Sequence, residues 1–500
     1  MPSLRALLPA DRIVAVCGSL DVPVRQVVTD SRAVQPGDVF VCLPGYRSEG
    51  GETRADRHDF IPAALAAGAT ALVVDREVSA PPEVTVVRVA DSWAAVADMA
   101  AELNGHPSHQ LTLVGVTGTS GKTSTTYFVD AVLSAVGQRV ARLGTIDYRL
   151  GGRTVPAAQT TPEAPLLQAL LREAVDAGCT AAVMEVSSHA LELRRVAALE
   201  FDVAVFTNLS HDHLNFHPDM HHYRRAKGRL FEELSSGGKR GTAVVNLDDP
   251  HSDYIIEVNR GALVTYGVTR DADVRARDVR MTLAGVHFAA ETPRGAVEVR
   301  LRHLGSYSVY NALAALAVGE GLGLPLETIA SGLAAAPPVP GRFELVDAGQ
   351  DFVVAVDYAH KPDALARLIE SARALQPRRL ITVFGCGGDR DRPKRPLMGR
   401  ISAAGSDLTI ITSDNPRSED PAAIVAEIVA GAREADPRGA RTVVEVDRAA
   451  AIELAIARAD ADDIVLIAGK GHEPYQLIAG VRHDFDDRLV ALAALARRRS

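Results

Sequence analysis

Apolar residues in this 500-residue chain fall into short continuous runs, each followed by a polar or glycine-containing turn and then by apolar positions at helical spacing. Residues 111–114, 181–186, 203–208 and 242–247 read as buried strands of this kind. Strands alternating with helices predict a mostly parallel sheet covered on both faces. Before them, residues 1 to about 107 read as a smaller α/β unit. Its strands fall at 38–43 and 71–74, its helices at 60–67 and 92–104, and the charged stretch 45–59 reads as an exposed loop. Residues 263–303 change to Val- and Arg-rich alternation, a β excursion, and helical spacing returns at 311–322. The run PPVPG at 337–341 is stiff and marks a boundary. Beyond it a doubly wound rhythm resumes, with strands at 352–356, 380–384, 408–412, 442–446 and 464–467. The predicted organisation is α/β in three domains, 1–107, 108–337 and 338–500.

The most specific chemistry lies at 115–124, GVTGTSGKTS, between the strand 111–114 and a helix predicted from 125 to 136. A glycine turn opening a helix directs backbone N–H groups and the positive end of the helix at one point. Gly118, Thr119, Ser120, Gly121, Lys122, Thr123 and Ser124 form this phosphate cradle, with Lys122 adding a full charge and the Thr123 hydroxyl available to Mg²⁺. The pattern departs from the usual phosphate loop only at position 116, where Val replaces Gly. The central domain is therefore read as a P-loop-type, parallel-sheet nucleotide-binding domain.

Composition narrows the alternatives. A net charge of −9 argues against a general nucleic-acid binder. Four scattered cysteines, Cys17, Cys42, Cys179 and Cys386, contain no C-x-x-C pair and suit a reducing compartment. No apolar run approaches the roughly 20 residues that span a bilayer, and the N-terminus makes a poor signal peptide, so the expected location is cytoplasmic.

Other charged groups sit where strands end. Glu185 closes an apolar run and opens EVSSHAL; it reads equally well as a Mg²⁺ ligand or a helix-capping acid. The stretch 207–217, TNLSHDHLNFH, holds three histidines but completes no zinc pattern, and His213 is the choice if one of them is functional. Lys227, in YRRAKGRLF, reads on physical grounds as a solvated helix lysine. Arg390 and Arg417 lie in turns suited to bidentate recognition of a carboxylate or phosphate, and Asp414 and Glu473 bring negative charge to the same predicted rim. A rim with both signs suits a zwitterion such as an amino acid.

Taken in order, GTSGKTS, TTPE, EVSSHAL, TNLSHDHL, YRRAKGRLF, NLDD, VYNALAA, PGRFE, DYAHKPDAL, FGCGGDRDRPKRPLMG, DNPR and GKGHE resemble the Mur ligases over residues 30–476. These are ATP-dependent, amide-forming enzymes of peptidoglycan precursor synthesis. The resemblance is greatest to the branch that adds a third residue to UDP-N-acetylmuramoyl-L-alanyl-D-glutamate, and DNPR resembles the form selecting meso-2,6-diaminopimelate. It implies a UDP-substrate domain, a central ATPase domain and a C-terminal Rossmann-like, amino-acid-binding domain. It also implies ATP on Gly118–Ser124, with Asn311 near adenine and Arg342 and Asp357 toward phosphate and ribose. Mg²⁺ is implied on Thr123, Glu185 and His213, joined by Lys227 as a carbamate formed with CO₂, and Lys122, His213 and Lys227 become the catalytic set. Thr29 and Ser31 match the uridine stretch; Gln159, Thr160, Thr161, Ser187 and Arg195 match muramoyl-dipeptide contacts. Arg390, Asp414, Asn415, Pro416, Arg417, Gly469 and Glu473 match the diaminopimelate site. Departures are Gln159 for a frequent Asn, Leu193 for a Gln, Ser308 for the first Asn of N-V-Y-N, Asn215 for an Asp, and a longer loop at 45–59.

The implied reaction passes the γ-phosphoryl of ATP to the D-glutamate γ-carboxylate, and the amine then displaces phosphate from the acyl phosphate. His213 and Glu473 are the candidates to deprotonate the amine. The expected partners are these small molecules alone, bound by a monomer without nucleic acid or membrane insertion. The alternatives are the same ligation with L-lysine, folylpolyglutamate synthesis, and a non-catalytic nucleotide-binding scaffold; the DNPR turn and the uridine-type domain count against folylpolyglutamate synthesis.

Overall fold

The computed structural model describes residues 1–47 and 53–499. Two compact units emerge. The first comprises Met1–Arg275, Glu291–Gly295 and Leu313–Gly332; the second comprises Ala276–Ala290, Ala296–Ala312 and the chain from Leu333 onward. No helix among the described residues is long and apolar enough to cross a membrane.

The first unit carries two α/β sheets. In the N-terminal one the strand order is Ile13–Cys17, Thr85–Val89, Ala71–Val74, Val39–Val41, Val27–Val28, parallel except for the first pair. The period of two sorts its side chains: Val39, Val41 and Val73 pack with Leu4, Ala95 and Met99, whereas Phe40, Leu72 and Val74 pack with Ile61 and Ala64. Helix Ser92–Leu103 begins where expected because the Asp91 carboxylate accepts from Trp93 N and Ala94 N.

In the larger sheet, strand Thr112–Thr117 lies between the parallel strands Ala181–Glu185 and Val203–Phe206. From it the chain first builds outward on one side, through Val140–Leu143, and returns to Ala181–Glu185. It then crosses to the other side for Val203–Phe206, Thr242–Asn246 and Ala262–Gly267. The glycine turn at 118–121 thus sits at the point where strand order reverses, the position at which doubly wound sheets open a cleft. These strands are buried because helices such as Lys122–Ala135 and Ala164–Asp176 cover them.

The second unit contains a six-stranded sheet ordered Glu344–Leu345, Val353–Asp357, Ile464–Ala468, Leu380–Phe384, Leu408–Ile411, Thr442–Val444, antiparallel only at the first pair. Apolar clusters cover both faces. The wholly buried Arg448 guanidinium donates to both Asp487 oxygens at 2.8 Å and to the carbonyls of Ala468 and Ser413, tying helix Arg448–Arg458 and the C-terminal helix to the strand ends.

Several elements differ from the sequence reading. The stretch 45–59 is not simply an exposed loop: Tyr46–Arg47 pairs with Thr53–Arg54, and Arg57–Phe60 forms a 3₁₀ turn. Its residues 48–52 lie outside the described ones. The hairpin Asp147–Leu150/Arg153–Pro156 was not anticipated, although Gly151-Gly152 between alternating residues is a hairpin signal. Helix Leu326–Ala335 and the hairpin Tyr475–Ile478/Val481–Asp484 were likewise missed, being short and close to the Pro-rich or polar stretches that dominated the reading.

The NLDD turn has a local explanation. The Asp248 carboxylate accepts from Val268 N, Thr269 N, Arg270 N and Thr269 Oγ1 at 2.6–2.9 Å. Burial alone would raise its pKa, but these donors outweigh burial and hold it at about 2, against an ordinary 3.8. A depressed pKa stabilises the fold above the unfolded value and loses that effect as pH falls through the folded one. Asp248→Ala is expected to cost about 1–2 kcal/mol near neutral pH. In urea titrations the gap to the native sequence should be full above 3.8 and shrink as the pH falls toward about 2.

Candidate functional site

At the turn after strand Thr112–Thr117, Gly118 has φ +149° and Gly121, at the helix N-cap, has φ +87°. A Cβ on Gly118 would lie 1.9 Å from Thr207 Oγ1, so only glycine lets the two turns approach this closely. The neighbouring stretch TNLS braces the loop. Asn208 accepts from Ser120 N at 2.9 Å through Oδ1 and donates to Ser120 O through Nδ2, Thr207 Oγ1 donates to Ser120 O, and Thr119 N donates to Asn208 O. Lys122 folds back on the turn, its Nζ donating to Gly118 O at 2.9 Å and Thr119 O at 3.2 Å. The arrangement can cradle an anion at a helix N-terminus with a lysine at its side.

Glu185 ends the next strand at register with Val116 and is almost fully buried. Its Oε1 accepts from Thr123 Oγ1 at 3.0 Å and from Thr145 N at 2.8 Å, and its Oε2 accepts from Thr145 Oγ1 at 3.1 Å. Of the two readings left open for Glu185, helix capping is excluded: the Ser187 side chain caps the following helix by accepting from Ala190 N. On the far side of Thr145, its Oγ1 lies 3.1 Å from Thr160 Oγ1. Thr161 Oγ1 donates to Glu185 O at 2.8 Å and accepts from Ser187 N at 3.1 Å. Arg195, also buried, donates to Gln159 Oε1 and Thr161 O at 2.8 Å. Gln159, Thr160, Thr161, Ser187 and Arg195 are therefore one connected group around Glu185.

A cavity of about 310 Å³ adjoins this group, lined by Val27, Val28, Thr29, Tyr148, Gln159 and Glu163 among others. Glu163 joins its walls: Arg57 donates to it at 2.6 and 3.1 Å and Thr29 Oγ1 at 3.1 Å. These donors outweigh the burial that would raise its carboxyl and hold it below the usual range. Ser31 lies beyond, in the 3₁₀ turn capped by Asp30.

The histidines form an aromatic cluster. His213, at φ +54°, pairs with Asp212 at 3.0 Å and presents its ring to His189 and Tyr223 at 5.0 and 5.9 Å. Burial, with Arg195 and Lys227 adding to it, lowers His189 to about 3; burial and His189 do the same to His217. Lys227 departs from its physical reading. It is 1% exposed rather than solvated, donates to Gly118 O at 2.8 Å and lies 4.7 Å over the Tyr223 ring. Tyr223 OH in turn lies 3.0 Å from Thr119 Oγ1.

In the second unit the expected amino-acid residues also gather. Asn415 Nδ2 donates to Glu473 Oε2 at 2.9 Å and Lys470 Nζ to Asn415 Oδ1 at 3.1 Å. A Cβ on Gly387 would lie 2.8 Å from Arg417 Nη1 and 3.7 Å from Arg390 Cγ, so both arginines converge on that turn. Arg417, at φ +55°, donates to Gly388 O at 2.8 Å, and Pro416 O lies against Gly388. Burial and Asp414 raise the Glu473 carboxyl, whereas Lys470 and Arg448 overcome burial and lower Asp414. Gly469 N donates to Asp357 O at 3.0 Å, the Asp357 carboxylate accepts from Phe343 N and Ala359 N, and Arg342 stacks 4.5 Å over Tyr358. Asn311 is buried in helix Ser306–Gly321.

Residues 23–109 match the model for the Mur ligase family catalytic domain, 116–319 the Mur ligase middle domain, and 341–471 the Mur ligase glutamate ligase domain. The chain is 46% identical over 472 residues to the UDP-N-acetylmuramoyl-L-alanyl-D-glutamate--2,6-diaminopimelate ligase of Geobacillus kaustophilus, covering 94% of each. The chain belongs to the Mur ligase family. A second Mur ligase of the same printed name, from Geobacter sulfurreducens, is 47% identical over 96% of each chain. A solved structure of a UDP-N-acetylmuramoyl-L-alanyl-D-glutamate--2,6-diaminopimelate ligase superposes with a TM-score of 0.70 at 34% identity, covering 100% of this chain and 99% of that one.

Sequence reasoning missed several members of this connected group. Thr145 and Asn208 carry ordinary polar side chains in turns, and only the register of the strands before them brings them to Glu185 and Ser120. Glu163 stood in the quoted TTPE string but received no role.

Proposed function

We propose that this chain is an ATP-dependent ligase that joins meso-2,6-diaminopimelate to the D-glutamate γ-carboxylate of UDP-N-acetylmuramoyl-L-Ala-D-Glu. The observation that carries the reading is the convergence on Glu185 of the phosphate-type turn, through Thr123, and of the Gln159–Thr161 stretch, through Thr145 and Thr160. Relatives that are 46–47% identical bear that activity in their names. The three segments 1–107, 108–337 and 338–500 then serve the UDP-substrate, ATP and the amino acid.

In this reading the γ-phosphoryl of ATP, cradled by residues 118–124, transfers to the γ-carboxylate held near Thr160, Thr161 and Arg195, leaving ADP and an acyl phosphate. Lys122 offsets charge that builds during transfer. Asn311, Arg342 and Asp357 are assigned to the rest of the nucleotide, and Thr29 and Ser31 to uridine beside the 310 Å³ cavity. The amino acid lies among Arg390, Asp414, Asn415, Pro416, Arg417, Gly469 and Glu473. Its amine attacks the acyl carbon, phosphate leaves from the tetrahedral intermediate, and a proton is lost. Glu473, raised by burial and Asp414, is suited to accept that proton.

Thr123 and Glu185 fit Mg²⁺, being two oxygen donors 3.0 Å apart at the foot of a helix. Among the described residues no group of three His, Cys, Asp or Glu is arranged to hold a metal by itself. A Mg²⁺ ion there would be shared with nucleotide phosphates and would neutralise their charge. His213 and a carbamate on Lys227 are assigned to the same ion. The carbamate forms when the neutral Lys227 amine adds to CO₂ and loses a proton. Lys227 is buried beside Gly118, where the one N–H that a carbamate keeps could still donate to the Gly118 carbonyl. ¹³C-bicarbonate should give a carbamate NMR signal that Lys227→Ala removes; a signal unchanged in the variant contradicts the assignment.

The decisive assay combines the protein with ATP, Mg²⁺, bicarbonate and UDP-N-acetylmuramoyl-L-Ala-D-Glu, adding meso-diaminopimelate, L-lysine or no amine. Phosphate and a tripeptide product are expected with diaminopimelate alone. Arg417→Asn should weaken diaminopimelate addition by about 100-fold or more, as expected when a bidentate carboxylate partner is lost. Product with lysine alone would overturn the amine assignment. No turnover with any amine, despite ATP binding, would favour a nucleotide-binding scaffold.

A further inference from the structure

Thr145 stands between two groups given separate tasks above. Its backbone N–H and its hydroxyl both reach the Glu185 carboxylate, one to each oxygen, while the same hydroxyl oxygen lies 3.1 Å from Thr160 Oγ1. The preceding residue makes this possible: a Cβ on Gly144 would lie 2.5 Å from Glu185 Oε1. Only a glycine there lets the main chain close onto the carboxylate.

The chemistry of the groups fixes a direction. A carboxylate accepts and does not donate, and a hydroxyl has a single proton. Thr123 and Thr145 therefore both give their protons to Glu185. Having spent its proton, Thr145 can meet Thr160 only as an acceptor, so the Thr160 hydroxyl donates to Thr145 and keeps its own lone pairs for another donor. Thr123 keeps a lone pair for a cation while its proton stays on Glu185. The Thr123–Glu185–Thr145–Thr160 relay thus runs without interruption from the nucleotide turn to the dipeptide stretch.

We propose that Thr145 is a positioning residue that couples the two substrate sites: nucleotide bound at the 118–124 turn pre-orders Thr160, and dipeptide bound at Thr160 pre-orders Thr123 and Glu185. The proposal rests on the functional reading above. Coupling of this kind is reciprocal by thermodynamic necessity. Charged hydrogen bonds in a buried site are strong enough to give a coupling of about tenfold.

Calorimetric affinities for UDP-N-acetylmuramoyl-L-Ala-D-Glu, measured with and without Mg²⁺ and a non-hydrolysable ATP analogue, test it. In the native protein the nucleotide should tighten dipeptide binding about tenfold. Thr145→Val, which keeps shape and the backbone N–H but removes the hydroxyl, should reduce that factor to about twofold or less, and Thr145→Ser should restore it. Thr160→Val should lose coupling to the same extent, and the double Val variant no further, since both cut one relay. Coupling retained in Thr145→Val, or lost equally in Thr145→Ser, overturns the proposal. A native protein that binds both ligands without coupling overturns the relay but leaves the functional reading standing. A native protein that does not bind the dipeptide overturns both.

Discussion

One buried carboxylate at a strand end holds this site together. Glu185 ends a strand that pairs in parallel with Thr112–Thr117, so its side chain emerges beside the glycine turn. A buried carboxylate must be supplied with donors. Here they come from Thr123 at the start of one helix and from Thr145 after the neighbouring strand. Satisfying Glu185 therefore fixes the helix start, the Gly144–Thr145 turn and, through Thr160 and Thr161, the stretch that follows. Strand order explains why these groups meet: the sheet reverses direction at Thr112–Thr117, placing Glu185 on one side and Thr207–Asn208 on the other.

The second unit solves a different electrostatic problem with similar means. Asp414 is buried and Glu473 partly buried close to it, and their carboxyls move in opposite directions. Lys470 and Arg448 draw Asp414 down, whereas burial and Asp414 itself raise Glu473. Two acids driven apart in this way can serve distinct roles, one as fixed charge and one as a proton acceptor. The Arg448–Asp487 pair holds the C-terminal helix against the same strand ends.

Much of this was legible in the sequence. Unbroken apolar runs located strands such as Ala71–Val74 and Leu380–Phe384, because a strand buried on both faces has no polar side to alternate with. The glycine turn was legible because backbone approach to a phosphate demands particular residues at particular spacing. Lys227 shows the limit. Helical spacing gives its face but not what packs over that face, and it is Tyr223 and Gly118 that bury it. Thr145 and Asn208 were invisible for a related reason: their significance arises from register between strands far apart in sequence. The loop 45–59 read as exposed because it is polar, yet Arg57 is drawn in by Glu163, more than 100 residues later.

In the proposed reaction the γ-phosphate of ATP at the glycine turn and the carboxylate held beside Thr160 react with each other within one site. Dipeptide substrate carrying ¹⁸O in its D-glutamate γ-carboxylate tests this directly, with the released phosphate analysed by mass spectrometry. One ¹⁸O should appear in phosphate for each tripeptide formed, since the acyl phosphate bridge oxygen leaves with phosphorus. Tripeptide formed with wholly unlabelled phosphate would contradict the account, because the carboxylate would not have been phosphorylated.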